Sequence, residues 1–317
     1  DVYKRQGTVL VAVLALVGVA CSSSDDPASS PDGDTGTATT TVVPGTLPVP
    51  TDECEDEPDP DDYVEGEIPP TIRPCELPTE LVVHTIRSGT GREAAAGDTV
   101  IADYSGIRAE DGSLLATSYA GAVPLDVVLG RGDVMPGWDE GLVGTQAGGL
   151  YKLDIPAELA YGDTPPPDSE GIEPDDALTF IMEVRAVVPA TDAADAPLDL
   201  DIEPSDGALE LSTVDLEEGD GAVLTAGDTA VVHMLLVRGD NLVVVLDTWR
   251  EGDPLQVVLT EGGSLPGVVE GLEGATVGTR RVITMPPELA FGEEGNPQLG
   301  LPAGRDLIVV ADVLGAY

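Results

Sequence analysis

The chain has 317 residues, enough for two ordinary domains with extensions, and carries 59 acidic residues against 14 basic ones, a formal net charge of −45. Such a field repels nucleic acid and anionic headgroups, and the acidity reads as a heavily solvated surface rather than as recognition of basic partners or calcium. Aromatic residues make up only 3%, so each position that keeps one has to be accounted for.

In chain order, Lys4 and Arg5 precede the apolar run GTVLVAVLALVGVA over 7–20, which is short for a bilayer span and ends at Cys21. Residues 1–21 therefore read as an export signal. A cysteine after small residues, followed by SSSDDPASSPDGDTGTATTT, resembles a bacterial lipoprotein signal. That resemblance implies lipidation of Cys21 and anchoring on the extracytoplasmic face of the cell membrane. Gly18 departs from it, since such signals usually carry Leu there, and ordinary secretory cleavage after Ala20 is the rival reading.

Residues 22–76 are acidic and rich in Ser, Thr and Pro, with little to bury, the composition of a disordered tether. Within it Cys54 and Cys75 bracket a proline-rich stretch. In an exported chain two nearby cysteines point to a disulfide closing a loop with little core of its own. A metal site from the two thiols is the weaker alternative, because no histidine lies between them.

Beyond this tether the chain repeats itself. GDTVIADY at 97–104 is answered by GDTAVVHM at 227–234, MPGWDEGL at 135–142 by LPGVVEGL at 265–272, and IPAELAYG at 155–162 by MPPELAFG at 285–292, all at an offset of 130. LTFIMEV at 178–184 and LIVVADV at 307–313 stand at 129, so one residue is lost in the loop between Gly162 and Ala177. This is a tandem duplication, with units at 77–188 and 200–317 and a linker, PATDAADAPLD, at 189–199.

Each unit reads mostly as strand. Tyr151, Leu153 and Ile155 alternate with Lys152 and Asp154, as in a strand with one buried face, and Leu178, Phe180, Met182 and Val184 alternate with Thr179, Ile181, Glu183 and Arg185. Around the octapeptide the period changes. Pro136 suits a first helical turn, Asp139 and Glu140 its positive end, and Trp138 and Leu142 lie four apart on one face. The expected class is α+β, antiparallel strands with one short helix in each copy.

The first unit resembles an FKBP-type peptidyl-prolyl isomerase domain, through the ordered set GDTVIADYSG, Asp111-Gly112, VLGRGDVMPGWDEGL, PAELAYGD and LTFIMEV. The resemblance implies a five- or six-stranded antiparallel sheet wrapped around the helix, with a proline pocket between them. It also implies roles. Tyr104 is a wall tyrosine, Val134 and Met135 precede the helix with the second N–H holding a substrate carbonyl, and Trp138 is the floor under the proline ring. Tyr161 offers its hydroxyl, Ile172 is an apolar flap residue and Phe180 a ring on the closing strand. Two departures stand out: Leu115-Ala116 precede Thr117-Ser118 where the family has Phe-Asp before Ser-Ser, and Leu125 replaces a wall phenylalanine. The pocket keeps its floor and loses two aromatic walls and a carboxylate, so binding and catalysis are expected to be weakened and altered in preference.

Such chemistry requires no cofactor or metal, because no covalent bond breaks. An X-Pro bond has a rotation barrier of ~18–20 kcal/mol and a small trans preference. The partners implied are proline-containing exported polypeptides, with tacrolimus- or rapamycin-type compounds as pocket ligands. In the second unit Tyr104 becomes Met234, Trp138 becomes Val268, Tyr161 becomes Phe291 and Phe180 becomes Val309. This copy is expected to be a degenerate scaffold or holding domain. Asp247 falls one position away from the family's Phe-Asp aspartate and receives no role. A hydrolase or metalloenzyme is disfavoured, since His84 and His233 are non-equivalent in the repeat and lack ligand partners at suitable spacing. The alternative to an isomerase is a non-catalytic chaperone or binding module for proline-containing segments.

Overall fold

The computed structural model describes residues 54–64, 68–120, 124–166, 171–198, 202–252 and 254–317. The export signal, the lipidation of Cys21 and the tether up to residue 53 lie outside these residues. The remainder builds two six-stranded antiparallel sheets of one topology. In the first copy, β1 (Val82–Arg87), β5 (Leu150–Ile155), β6 (Leu178–Val188), β2 (Thr99–Arg108) and β3 (Leu114–Thr117) pair in that order, and β4 (Leu125–Val128) pairs with the other end of β2. The long strand β2 is thus shared, Thr99–Ala102 with β4 and Ser105–Ile107 with β3. The second copy repeats this with β7 (Ser212–Glu217), β11 (Arg280–Met285), β12 (Leu307–Ala316), β8 (Thr229–Arg238) and β9 (Val244–Asp247), β10 (Leu255–Val258) taking the place of β4.

The short helices α1 (Pro136–Gly141) and α3 (Pro266–Leu272) each begin with proline at the first turn, whose missing N–H has no intrahelical partner to lose. Both lie very close to the sheet. A Cβ on Gly137 would collide with the side chain of Ile155, and one on Gly141 would stand 2.9 Å from Leu153 Cδ2. In the second copy Gly267 would meet Met285 Cβ at 2.8 Å and Gly271 would meet Ile283 Cγ2 at 2.5 Å. The two glycines of the repeated octapeptide are therefore kept because helix and strand approach within backbone distance. Trp138 and Leu142 share the buried helix face as their spacing predicts, whereas Asp139 turns away from the helix end and accepts from the N–H groups of Gly130 and Gly132, at 3.1 and 2.8 Å.

The expectation of one buried face on β5 is overturned, for all six residues are buried. The cause is the segment Cys54–Cys75, which a disulfide closes and which lies across the outer face of the first sheet instead of hanging free as tether. It contains a 3₁₀ turn at Pro60–Asp62 capped by Asp59. Its Tyr63 joins Ile86, Leu150 and Ile181 in an apolar cluster. Beneath it Lys152, fully buried, donates to the Glu55 carbonyl at 2.9 Å and stands 3.6 Å from Asp154 Oδ2. Asp154 also accepts from Thr179 Oγ1 at 2.6 Å and lies 3.6 Å from His84 Nε2. A buried ammonium is tolerable only with such partners. Burial, reinforced by Glu55, pushes the Tyr63 hydroxyl far above the ordinary phenol range.

The outer face of the second sheet is covered in part, by the linker and the residue Ile202 after it, while β7 stays exposed along its length. Thr191 Oγ1 meets His233 Nε2 at 2.7 Å, and Ala196 and Ile202 pack on a cluster of Leu235, Val237, Trp249, Ile308 and Val310. His233 stacks on Trp249 at 5.0 Å, so both sit on the face opposite the predicted pocket. The segment 189–198 runs between the sheets, and Ala190 N–H also donates to Asp98 at 3.1 Å. Ile101, Ala186, Val188 and Val231 form a further buried cluster that joins the two copies.

Candidate functional site

The inner face of the first sheet and the helix α1 enclose one apolar core, and the predicted site residues lie in it or on its rim. Three rings meet at its centre. Trp138 stands 5.5 Å from Tyr104 and 4.9 Å from Phe180, both edge-on, and Tyr104 lies 6.5 Å from Phe180. Edge-to-face pairs of this kind add about 0.5–1.5 kcal/mol each beyond area burial. Trp138 comes from α1, Tyr104 from β2 and Phe180 from β6. The indole Nε1–H is buried without a hydrogen-bond partner.

Met135 is the N-cap of α1 and is buried; its carbonyl is occupied by Trp138 N–H at 3.0 Å and Asp139 N–H at 3.3 Å. Val134, Leu115, Leu125, Tyr104 and Tyr161 are partly buried against the same core. Tyr161 follows the 3₁₀ turn Ala157–Leu159, and Gly162 closes that turn with positive φ by donating to Ala157 O at 2.9 Å. Ile172 is half-buried in the loop that returns to β6. Gly171 beside it is close enough to the wall that a Cβ there would stand 3.4 Å from Leu115 Cδ2. The structure thus brings Tyr104, Val134, Met135, Trp138, Tyr161, Phe180, Leu115 and Leu125 onto one core, with Ile172 in the adjoining loop.

The floor depends on a residue that motif reasoning passed over. Gly106 pairs with Phe180 across β2 and β6, and a Cβ on Gly106 would collide with the phenyl ring. The signal was present in the repeat register, because Ser105-Gly106 corresponds to Leu235-Leu236. In the second copy Leu236 pairs with Val309, so the glycine and the ring are exchanged together for two aliphatic side chains. Met234, Leu265 and Val268 are buried at the other equivalent positions.

The Ser-Ser remnant is structural. Ser118 Oγ accepts from Tyr104 N–H at 2.9 Å and donates to Asp103 at 2.7 Å, tying β3 to β2, and Thr248 accepts from Met234 N–H at 2.8 Å in the second copy. Asp247, to which no role was assigned, is the N-cap of α2 (Thr248–Glu251), accepting from Arg250 N–H at 3.1 Å. Among the described residues no three His, Cys, Asp or Glu side chains come together as a metal site.

Comparison with known proteins follows the same two regions. The family model described as FKBP-type peptidyl-prolyl cis-trans isomerase matches residues 90–185 and 221–310, together more than half of the chain. An FK506-binding protein of Streptomyces anulatus is 38% identical over 35% of this chain and 90% of its own length. The FKBP-type peptidyl-prolyl cis-trans isomerase FkpA of Escherichia coli is 39% identical over 41% of this chain and 46% of its own. Human peptidyl-prolyl cis-trans isomerase FKBP10 is 31% identical over 63% of this chain, which spans 31% of that protein.

Proposed function

The chain belongs to the family of FKBP-type peptidyl-prolyl cis-trans isomerases, and from that premise we propose that its first domain, 77–188, isomerises X-Pro bonds in exported polypeptides while its second, 200–317, holds segments or braces the first without catalysis. The observation that carries this reading is the Tyr104, Trp138 and Phe180 cup beside the N-terminus of α1, present in one copy and dismantled in the other. A proline ring resting on Trp138 would place its preceding carbonyl near the Met135 N–H. The planar amide is the more charge-separated form, so an apolar enclosure with a few fixed donors favours the twisted one. Leu115, Leu125 and Ile172 would meet the residue before proline, and Tyr161 would offer a hydroxyl to the segment. Tacrolimus- or rapamycin-type compounds would occupy the same cup.

The test is catalysed cis–trans isomerisation of X-Pro tetrapeptides by the full chain. Trp138→Val, the residue of the second copy, should lower kcat/KM by about 10- to 100-fold, and Tyr161→Phe less. Val268→Ala should leave it unchanged. A wild-type chain that binds the peptides without accelerating them would favour the non-catalytic reading, whose support is Leu115-Ala116 in place of Phe-Asp.

Export is favoured by the Cys54–Cys75 disulfide, which suits an oxidising compartment. Lipid anchoring through Cys21 at the extracytoplasmic membrane face completes the reading. Replacing Cys21 by Ser should move the protein from the membrane to the soluble fraction, and unchanged membrane association would exclude that anchor.

A further inference from the structure

We infer that Arg108 is the positioning residue for the loop that carries Ile172, an inference that rests on the isomerase reading above for its consequence and not for its geometry. Arg108 ends β2, and its side chain is largely buried, 16% exposed. Its Nη2 donates to the carbonyl of Gly171, the residue immediately before Ile172. Its Nε stands 3.1 Å from Asp176 Oδ2 at the other end of the same stretch, an ion pair without hydrogen-bond geometry, and its Nη1 lies 3.5 Å from Asp111 in the β2–β3 hairpin. One planar guanidinium therefore joins both ends of residues 171–176 to the strand that also carries Tyr104.

Residues 171–176 are tied to the rest of the domain by a backbone hydrogen bond at Asp175 and by Arg108. Asp176 accepts from Glu173 N–H at 2.6 Å, which folds the stretch, and Asp175 adopts φ 63° while donating its N–H to Gly162 O at 2.8 Å. A non-glycine residue in the left-handed region costs free energy and persists only where neighbours constrain it. The neighbours here are Gly162 and the Asp176–Arg108 pair. Lysine could satisfy one end of the stretch but not both, since it lacks the fork.

The second copy shows that the arginine alone does not make the clamp. Arg238, at the equivalent place, binds Asp240 of its own hairpin through Nε at 3.1 Å and Nη2 at 2.7 Å. The first copy has turned the same guanidinium toward the loop beside the pocket.

The test uses the full chain, uncharged X-Pro tetrapeptides, and amide hydrogen exchange resolved at residues 172–177. In Arg108→Gln, exchange at 172–177 should quicken by about tenfold or more while β6 stays protected, the size expected for losing one charge-assisted hydrogen bond and an ion pair. KM should rise by about fivefold or more with kcat nearly kept, as for loss of an interaction made equally in ground and transition states. Arg108→Lys should fall between, and Asp176→Asn should reproduce the exchange change without touching Arg108. Unchanged exchange at 172–177, or equal quickening throughout β6, would overturn the clamp. Quickened exchange with unmoved KM would show a loop held for stability alone and overturn the positioning role. A wild-type chain that does not accelerate the peptides would end the isomerase reading by itself, and the exchange result would still decide whether Arg108 holds the loop.

Discussion

At one pair of cross-strand positions the first domain has Gly106 against Phe180 and the second has Leu236 against Val309. At two helix positions the domains agree, with Gly137 and Gly141 of α1 answered by Gly267 and Gly271 of α3 against the sheet. The comparison separates two demands that one core has to meet. Seating the helix requires backbone contact and tolerates no Cβ, so those glycines survive in both copies. Shaping a cup requires an aromatic ring laid over a strand with no side chain beneath it. Once the ring is lost, leucine fills the same space, and the fold keeps its packing while the cup disappears.

Three experiments would break or sharpen this contrast. The largest effect concerns what covers each sheet. The disulfide between Cys54 and Cys75 closes a loop of sequence separation 21 over the first domain only. Replacing both cysteines by Ser should cost the first domain about 3 kcal/mol of stability and the second almost nothing. The chain has two tryptophans, Trp138 in the first core and Trp249 on the outer face of the second sheet, so denaturation followed in Trp138→Phe and Trp249→Phe variants reads each domain separately. A common shift of both transitions would mean that the cluster of Ile101, Ala186, Val188 and Val231 makes the domains one cooperative unit.

Next in size is the exchange of floor residues. Gly106→Leu should destabilise by about 1–3 kcal/mol through overpacking against Phe180, and Phe180→Val should cost about 2 kcal/mol through the cavity it leaves. Made together they should cost less than the sum by at least about 1 kcal/mol, because each corrects the other's volume error. Additive costs would show that Leu236 and Val309 arose independently and would undo the argument that the second floor was refilled.

The smallest effect is electrostatic. The Tyr151 hydroxyl of the first domain accepts from Gln146 N–H at 2.7 Å, whereas its counterpart Arg281 pairs with Asp215 at 2.5 Å and donates to Gly271 O at 3.0 Å. The hydrogen bonds from Arg281 hold the Asp215 carboxyl below its ordinary value of 3.8. A depressed folded-state value adds stability above the unfolded value, and that contribution is lost as pH falls through the folded one. The second domain should therefore lose up to about 1 kcal/mol below roughly pH 4, the limit set by partial exposure of the pair. Asp215→Asn should remove that part of the pH profile, and an unaltered profile would show that the pair carries no net stability.

Much of this was open to reading from residues alone. A repeat held at an offset of 130, slipping to 129 at the last strand, places both helices, both sheets and the aromatic positions, because strand alternation and helix spacing are local properties of the chain. The same register carries the Gly106 to Leu236 exchange, which motif matching overlooked by attending to rings rather than to what lies under them. The alternation along β5 implies one solvent-facing side, and the structure buries both. Lys152 and Asp154 look like solvent-facing residues, and alternation cannot tell water from another segment of protein that satisfies the same charges.

The sequence by itself therefore determined the duplication, the frame of each domain and which copy keeps an aromatic cup. Only the tertiary structure decided that Cys54–Cys75 lies over Lys152, and that Arg108 reaches the loop of Ile172 and not its own hairpin alone. Those contacts join residues 97 and 63 positions apart. Such pairings follow from how strands are ordered and twisted in the sheet, which brings together groups whose spacing along the chain has no period to betray it.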